Sequence, residues 1–406
     1  MKKILEIALG LVTGIGGFLE AGSIATAAQA GADFGFQLVW AIAIGTLCLI
    51  ILLEMSGRLA LVSHRTLVDA MRERFGIKFF VIPLLVGLAL SWMVLAAEIG
   101  GVAFALQMAT GITFQWWALP VAFVGWMLLW KGTFGMIEKG TAFLGLAALA
   151  IGDAALRLHP DWTQVGAALL PTRPAHDAAH YWFLAVSIIG AAISPYLYYF
   201  YSAGAVEEQW DLSYLGMNRI IAALGNAFGG VLAVAVLVVA ALVFQPRGIH
   251  VDRFEPIALL LTHPLGLWGF ILMVATLGIN CFSATVEIAL SMAYLLAQTF
   301  GWKWAEDAKP GEHARFSLVY TAVIFLAAVP IALGVDALKL TNISMALTAA
   351  SLPVTVLPLF VLMNDRVYLH KHKNGWAGNL ALGAVAVLSI VLLVVGIPLQ
   401  FMGGGG

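Results

Sequence analysis

Residues 17–40 read GFLEAGSIATAAQAGADFGFQLVW, and residues 190–202 read GAAISPYLYYFYS. Both stretches lie inside apolar runs long enough to cross a bilayer, and both violate the rule for such a run. A helix in lipid must satisfy its own backbone, so glycine clusters, proline and a carboxylate leave polar groups uncompensated. The first run does this at Gly14, Gly16, Gly17 and Glu20-Ala21-Gly22-Ser23, and the second at Ser194-Pro195-Tyr196. Pro195 has no N–H and its ring clashes with the preceding turn, so the helix is expected to unwind near 191–195. Two interrupted helices in corresponding places point to a midplane binding site in a transporter built from inverted repeats. Freed carbonyls and a carboxylate are hard oxygen ligands, suited to a cation. Packing kinks would explain one interruption, but not a matched pair with a glutamate embedded in it.

The rest of the chain supplies the setting. Of 406 residues, 62% are apolar and 11% charged, with a mean hydropathy of +0.95. An average soluble domain is about 25% charged, so too little charge is present to coat a water-facing surface. The 21 Lys+Arg balance 22 Asp+Glu, which excludes a nucleic-acid partner. Cys48 and Cys281 both sit in apolar runs, with no CxxC pair. The apolar runs are about 20 residues long, about twice the length of a β-barrel strand. An all-α integral membrane protein of eleven transmembrane helices is expected, at 4–31, 36–62, 79–108, 116–131, 139–157, 181–204, 218–244, 264–298, 316–334, 340–363 and 376–400. No soluble domain interrupts them, and the Gly403–Gly406 run is set apart as an appended tail. The first run is read as a span, not as a cleaved signal, because it is too long and contains Glu20. With the N-terminus in the cytoplasm, only Arg157, Arg173, Arg247, Arg253 and Lys339 fall outside, and the other sixteen basic residues fall inside. A multi-pass protein of the plasma (inner) membrane is expected, with the C-terminus outside.

The same residues resemble the NRAMP family of divalent metal transporters. That family carries Asp-Pro-Gly-Asn followed by a similar FATDIQAGA run in its first span, and Gly-Ala-x-x-Met-Pro-His-Asn-Leu-Tyr in its sixth. Further similarity lies in residues 58–76 (RLALVSHRTLVDAMRERFG), 97–112 (AEIGGVAFALQMATGI) and 352–366 (LPVTVLPLFVLMNDR). The resemblance implies a LeuT-like fold: a single transporter domain with repeat one over about 4–157, repeat two over about 181–363, and an extra helix at 376–400. Helices 1 and 6 would be broken at the midplane. It further implies metal ligands at Glu20, Ser23 and Ser194, with main-chain carbonyls near Gly17 and Ala191. Glu20 stands where the family has its Asp, Ala21 replaces the Pro, and Ser23 replaces the Asn. Ser194 replaces the Met, Pro195 is retained, and Tyr196 replaces the His. Loss of the thioether removes a soft ligand, and the remaining oxygens suit Mg2+ or Mn2+. In this respect the chain looks closer to the NRAMP-related Mg2+ transporters.

The remaining buried charges bear on coupling. All nine histidines fall in loops or at span ends. In span three the family's proton-pathway Asp aligns with Leu95, while Glu98 keeps the following acid; the basic residues of span nine are missing from 316–334. Weak or absent proton coupling is therefore expected. Glu98 and Glu287 sit inside apolar helices, where a bare charge costs at least about 2.5–3.5 kcal/mol, so each must face the bundle interior or find a partner. Asn280, Ser283 and Glu287 recur at helical spacing and form a candidate polar stripe. With Tyr196 and Glu98 they are pathway candidates, against the plainer reading of hydrogen-bonded structural acids. Glu54 with Arg58 and Asp153 with Arg157 have structural i,i+4 spacing, and Glu138 beside Lys139 is read as structural too. An intramembrane enzyme would need a His/Glu metal motif or an Asp pair at depth, and none is present. The expected protein is a monomeric carrier with a divalent metal as cargo, the lipid bilayer as surroundings and no cofactor. Its rival is a LeuT-fold carrier of an amine or amino acid with Glu20 as counter-charge.

Overall fold

A computed structural model describes residues 18–131, 148–305 and 309–402, with the side chain of Phe401 left aside. The described residues form helices and no strands. In chain order the α-helices are α1 (Ala21–Phe34), α2 (Val39–Ser63), α3 (Leu67–Phe75), α4 (Ile77–Thr110), α5 (Phe114–Lys131) and α6 (Leu149–Arg157). They continue as α7 (Trp162–Ala167), α8 (Ala178–Ala192), α9 (Pro195–Glu207), α10 (Leu215–Val243), α11 (Phe254–Ala258) and α12 (Thr262–Phe300). The last are α13 (Ala314–Ala332), α14 (Ala337–Ser351), α15 (Pro353–Leu362), α16 (Arg366–Leu369) and α17 (Trp376–Met402). Eight helical segments among the described residues are long and apolar enough to cross a membrane. Of the eleven expected spans, the first and fifth fall partly on undescribed residues, and the fourth corresponds to α5, an 18-residue helix that is not among the eight.

The span expected at 181–204 is two helices. α8 ends at Ala192 and α9 begins at Pro195, with Ile193 and Ser194 between them in non-helical conformation. Proline is tolerated at the first helical position because that N–H would be unsatisfied anyway, so the same residue ends one helix and starts the next. The span expected at 340–363 is also divided, between α14 and α15, where Pro353 opens the second helix. Gly266 bends the start of α12 with a positive φ of 62°.

The interior is built by close approach of helices. α12 lies along α4, α10 along α1 and α2, α8 along α14, and α13 along α5. Gly31 lets α1 sit directly on the Leu237 carbonyl of α10, and Gly190 lets α8 sit on the Met345 carbonyl of α14; a Cβ at either place would strike backbone. The outermost helix, α17, exposes a long apolar face including Leu380, Val387 and Val394, as a helix bordering lipid does.

Candidate cation site

Glu20 is the N-cap of α1, in extended conformation with φ −85° and ψ 175°, and its side chain is fully buried. The break in the first span is therefore real on its described side. Gly17 lies outside the described residues, and so do Gly14, Gly16 and Glu138. From the second break, the Tyr196 hydroxyl donates to Glu20 Oε2 at 2.5 Å. Ser194 Oγ reaches Glu20 Oε1 at a long 3.5 Å and lies 3.4 Å from the Ala191 carbonyl. Ser194 and Tyr196 are 1% and 2% exposed, so this polar group is sealed from solvent.

The two breaks explain what is available. In a continuous helix the Ala191 carbonyl would accept from the N–H four residues on, but that residue is Pro195, which has none. Its neighbours Ile189 and Gly190 are both served by the Ile193 N–H. Ala191 thus presents a carbonyl held only weakly by Ser194. The positive N-terminal ends of α1 and α9 both lie at the site, which favours an anionic Glu20 there. The negative C-terminal end of α8 lies beside them and favours a cation.

Glu98 has a definite position. Both of its carboxylate oxygens accept from the Ala21 N–H, at 3.1 and 3.2 Å, across 77 residues of sequence. It therefore satisfies the first orphan donor of α1 and holds that helix start in place. Glu20 lies close enough to Glu98 and to Glu287 for their charges to act on one another. On α12, Ser283 Oγ donates to Glu287 at 3.1 Å, one turn away, as the helical spacing suggests. Asn280 and Thr276 continue this stripe, each 1% exposed. Asn280 Nδ2 and Thr276 Oγ1 have no hydrogen-bond partner among the described residues. Ser23 is buried as well, and its Oγ likewise has none.

Of the ten residues singled out, the structure brings Glu20, Ser194, Ala191 and Tyr196 together, with Glu98 behind them on α4. Sequence reading had left Tyr196 among the pathway candidates, yet it makes the shortest contact to Glu20. Two sulfur atoms also lie nearby, though not on Glu20: Met345 packs its thioether against Gly22, and Cys281 packs its thiol against Gly101 of α4, close to Glu98. A Met on α14 pressed against the start of α1 has no local sequence signal.

The family model described as Nramp, natural resistance-associated macrophage protein-like, matches residues 10–398. The chain belongs to the NRAMP family. A divalent metal cation transporter of Aeromonas hydrophila is 25% identical over 398 residues, covering 93% of each chain. One from Deinococcus radiodurans is 31% identical over 253 residues, covering 57% of this chain and 55% of the relative. Among solved structures, a manganese transporter of Eremococcus coleocola superposes with a TM-score of 0.75 at 18% identity, covering 98% of this chain and 88% of the other. Mhp1, a nucleobase-cation-symport-1 family transporter, superposes with a TM-score of 0.62 at 17% identity, covering 98% and 90%. At these identities the likeness is one of fold. It places this chain in the LeuT-like architecture, while membership of the NRAMP family makes it a membrane transporter and not an enzyme.

Proposed function

We propose that this NRAMP chain transports small divalent cations, Mg2+ or Mn2+, by alternating access, with a hard oxygen site at the two helix breaks. Glu20 supplies the charge, the Ala191 carbonyl and Ser194 hydroxyl supply neutral oxygens, and Ser23 completes the described set together with retained water; the ligand expected near Gly17 lies outside the described residues. The observation that carries this reading is the carbonyl orphaned by Pro195 standing beside a fully buried carboxylate. A buried anion at two helix N-termini, with a second and third carboxylate in electrostatic reach, is relieved by a dication better than by any single-charged group. Mg2+ keeps several of its waters and needs only one or two carboxylates, which matches one Glu20 among neutral oxygens.

Movement of one repeat against the other, over about 4–157 and 181–363, would expose the site to either side, with net movement into the cell. Proton coupling is weak or absent in this reading. Leu95 takes the place of the family's acid in α4, no histidine lies at depth, and the only basic residue of α13 is Arg315 in its first turn, stacked on Trp302 at 5.6 Å.

Purified protein in proteoliposomes tests this directly. Mg2+ or Mn2+ uptake is expected, with Glu20→Ala lowering it at least tenfold and little acidification of the lumen accompanying it. Metal-dependent acidification comparable to the metal flux would remove the coupling claim. Glu20-dependent uptake of an amine or amino acid, without metal flux, would replace the cargo. Cd2+ binding far more tightly than Mn2+ would show that a sulfur, Met345 or Cys281, enters the site and that its hardness is misjudged.

A further inference from the structure

The two carboxylate oxygens of Glu20 are held unequally. Oε2 accepts the Tyr196 hydroxyl at 2.5 Å, whereas Oε1 faces only Ser194 Oγ at 3.5 Å. The first is a strong charge-assisted hydrogen bond in a buried setting; the second is too long to hold the oxygen. Tyr196 is itself fixed. Pro195 before it sets the first helical turn of α9, and Ser291 Oγ on α12 donates to the Tyr196 carbonyl at 3.2 Å. Its ring is 2% exposed, so leaving Oε2 would strand a buried phenol without a partner. Glu98 offers no second free carboxylate at this point, because it is engaged at the Ala21 N–H.

We propose that Tyr196 sets cation specificity by occupying Glu20 Oε2, so that the ion meets a monodentate carboxylate. The inference rests on the cation reading of the site given above. Ca2+ takes six to eight oxygens at about 2.3–2.6 Å and gains much from bidentate carboxylates, whereas Mg2+ prefers six at about 2.0–2.1 Å. A single carboxylate oxygen, two or three neutral oxygens and water fit the smaller shell. Opening the second oxygen would add a ligand that a large ion can use and a small octahedral ion cannot. Tyr196 thus disfavours Ca2+ without touching the ion.

The test is the ratio of Ca2+ to Mg2+ affinities, measured by titration calorimetry on purified protein and by competition in proteoliposome uptake. Tyr196→Phe keeps the ring and frees Oε2; the ratio is expected to shift toward Ca2+ at least tenfold. Glu20→Asp is the second variant, because its shorter side chain withdraws the carboxylate from the phenol; it is expected to shift the ratio in the same direction. The two substitutions combined are expected to shift it no further than the larger single effect. An unchanged ratio in Tyr196→Phe, or an equal loss of affinity for both ions, overturns the proposal, since the phenol would then be a ligand or a packing group. If the unaltered protein binds neither ion in a Glu20-dependent way, the cation reading itself has failed, and this outcome is seen before any variant is compared.

Discussion

A buried hydroxyl without a partner is costly, and Ser23 is such a group: 6% exposed, with Oγ unpartnered among the described residues. Its place on α1, one turn beyond Glu20, gives the unused oxygen a purpose that packing alone does not. If the hydroxyl is reserved for an ion, its removal must act in opposite directions on stability and binding. Ser23→Ala is expected to leave thermal stability unchanged or raised, by up to about 1 kcal/mol, because an unsatisfied polar group is deleted. The same change is expected to weaken Mg2+ or Mn2+ binding about tenfold. A thermal melt and a titration on one preparation check both, and an unaltered affinity would take Ser23 out of the ligand set. Glu20 itself was legible from the sequence, because a carboxylate among glycines in an apolar run has few structural uses. Its partner was less so. Tyr196 follows Pro195 at the break and could be placed there, but its bond to Glu20, 176 positions away, needed the fold, just as the bond of Tyr198 to Thr355 did.

Breaks in helices are decided at the next scale, by where backbone donors are missing. Pro195 could be read directly, since it removes the donor that Ala191 needs. The division between α14 and α15 has the same cause at Pro353, yet Pro358 lies inside α15 without ending it. Proline alone therefore does not locate a break, and the surrounding packing decides which one unwinds. The Ser283–Glu287 contact followed from i,i+4 spacing on a single helix, whereas the Glu98–Ala21 contact joins two helices and needed the fold. Pro195→Ala tests the link between break and binding. Restoring an N–H at 195 lets the Ala191 carbonyl accept a helical hydrogen bond, so α8 and α9 can join. The variant is expected to change thermal stability little, because Pro195 already sits at a first helical position where proline is tolerated. Divalent-ion binding is expected to fall at least tenfold. Full binding in this variant would mean that the freed carbonyl is no ligand.

Among the described residues, hydrogen bonds join separate elements at both ends of the helix bundle. At the end that the charge bias assigns to the outside, Asp33 of α1 accepts from His250 Nδ1 at 2.8 Å and His180 Nε2 at 3.1 Å. One carboxylate thereby ties α1 to the start of α8 and to the loop before α11. Gln29 on α1 adds a bond to the Val251 carbonyl of that loop at 3.0 Å. At the opposite end Arg58 of α2 bonds Glu54, the His372 carbonyl and Asn374 at 3.2, 3.1 and 2.7 Å. There Arg72 of α3 also donates to the Gln298 and Thr299 carbonyls at the end of α12. A carrier closed at both ends must release one clamp to exchange its ion. The two are chemically unlike, since Arg58 keeps its charge at any accessible pH while the outer clamp contains histidines.

Burial alone would raise the Asp33 carboxyl, but the hydrogen bonds and charges of His180 and His250 outweigh it and hold it below the usual carboxylate value. Its contribution to stability is therefore complete above about pH 3.9, the unfolded value, and is lost only as pH falls through the lower folded value. Above that value the carboxylate stays charged and accepts from both imidazoles, so the outer clamp is held throughout the neutral range. His176 stacks on Phe34 at 4.8 Å at the same corner, and Asp177 caps the start of α8 beside it. Each hydrogen-bonded pair is partly exposed, His250 by 69% at its side chain, so each is worth at most about 1 kcal/mol. That suffices to move an equilibrium about fivefold without unfolding the protein. A cysteine placed at Ser194, in a chain whose Cys48 and Cys281 have been replaced, reports access to the site from either side through its labelling rate. Asp33→Asn is expected to raise labelling from the outer side several-fold at neutral pH, and Arg58→Ala should raise labelling from the inner side. An outer rate indifferent to Asp33 would mean that the clamp is not what holds that end shut.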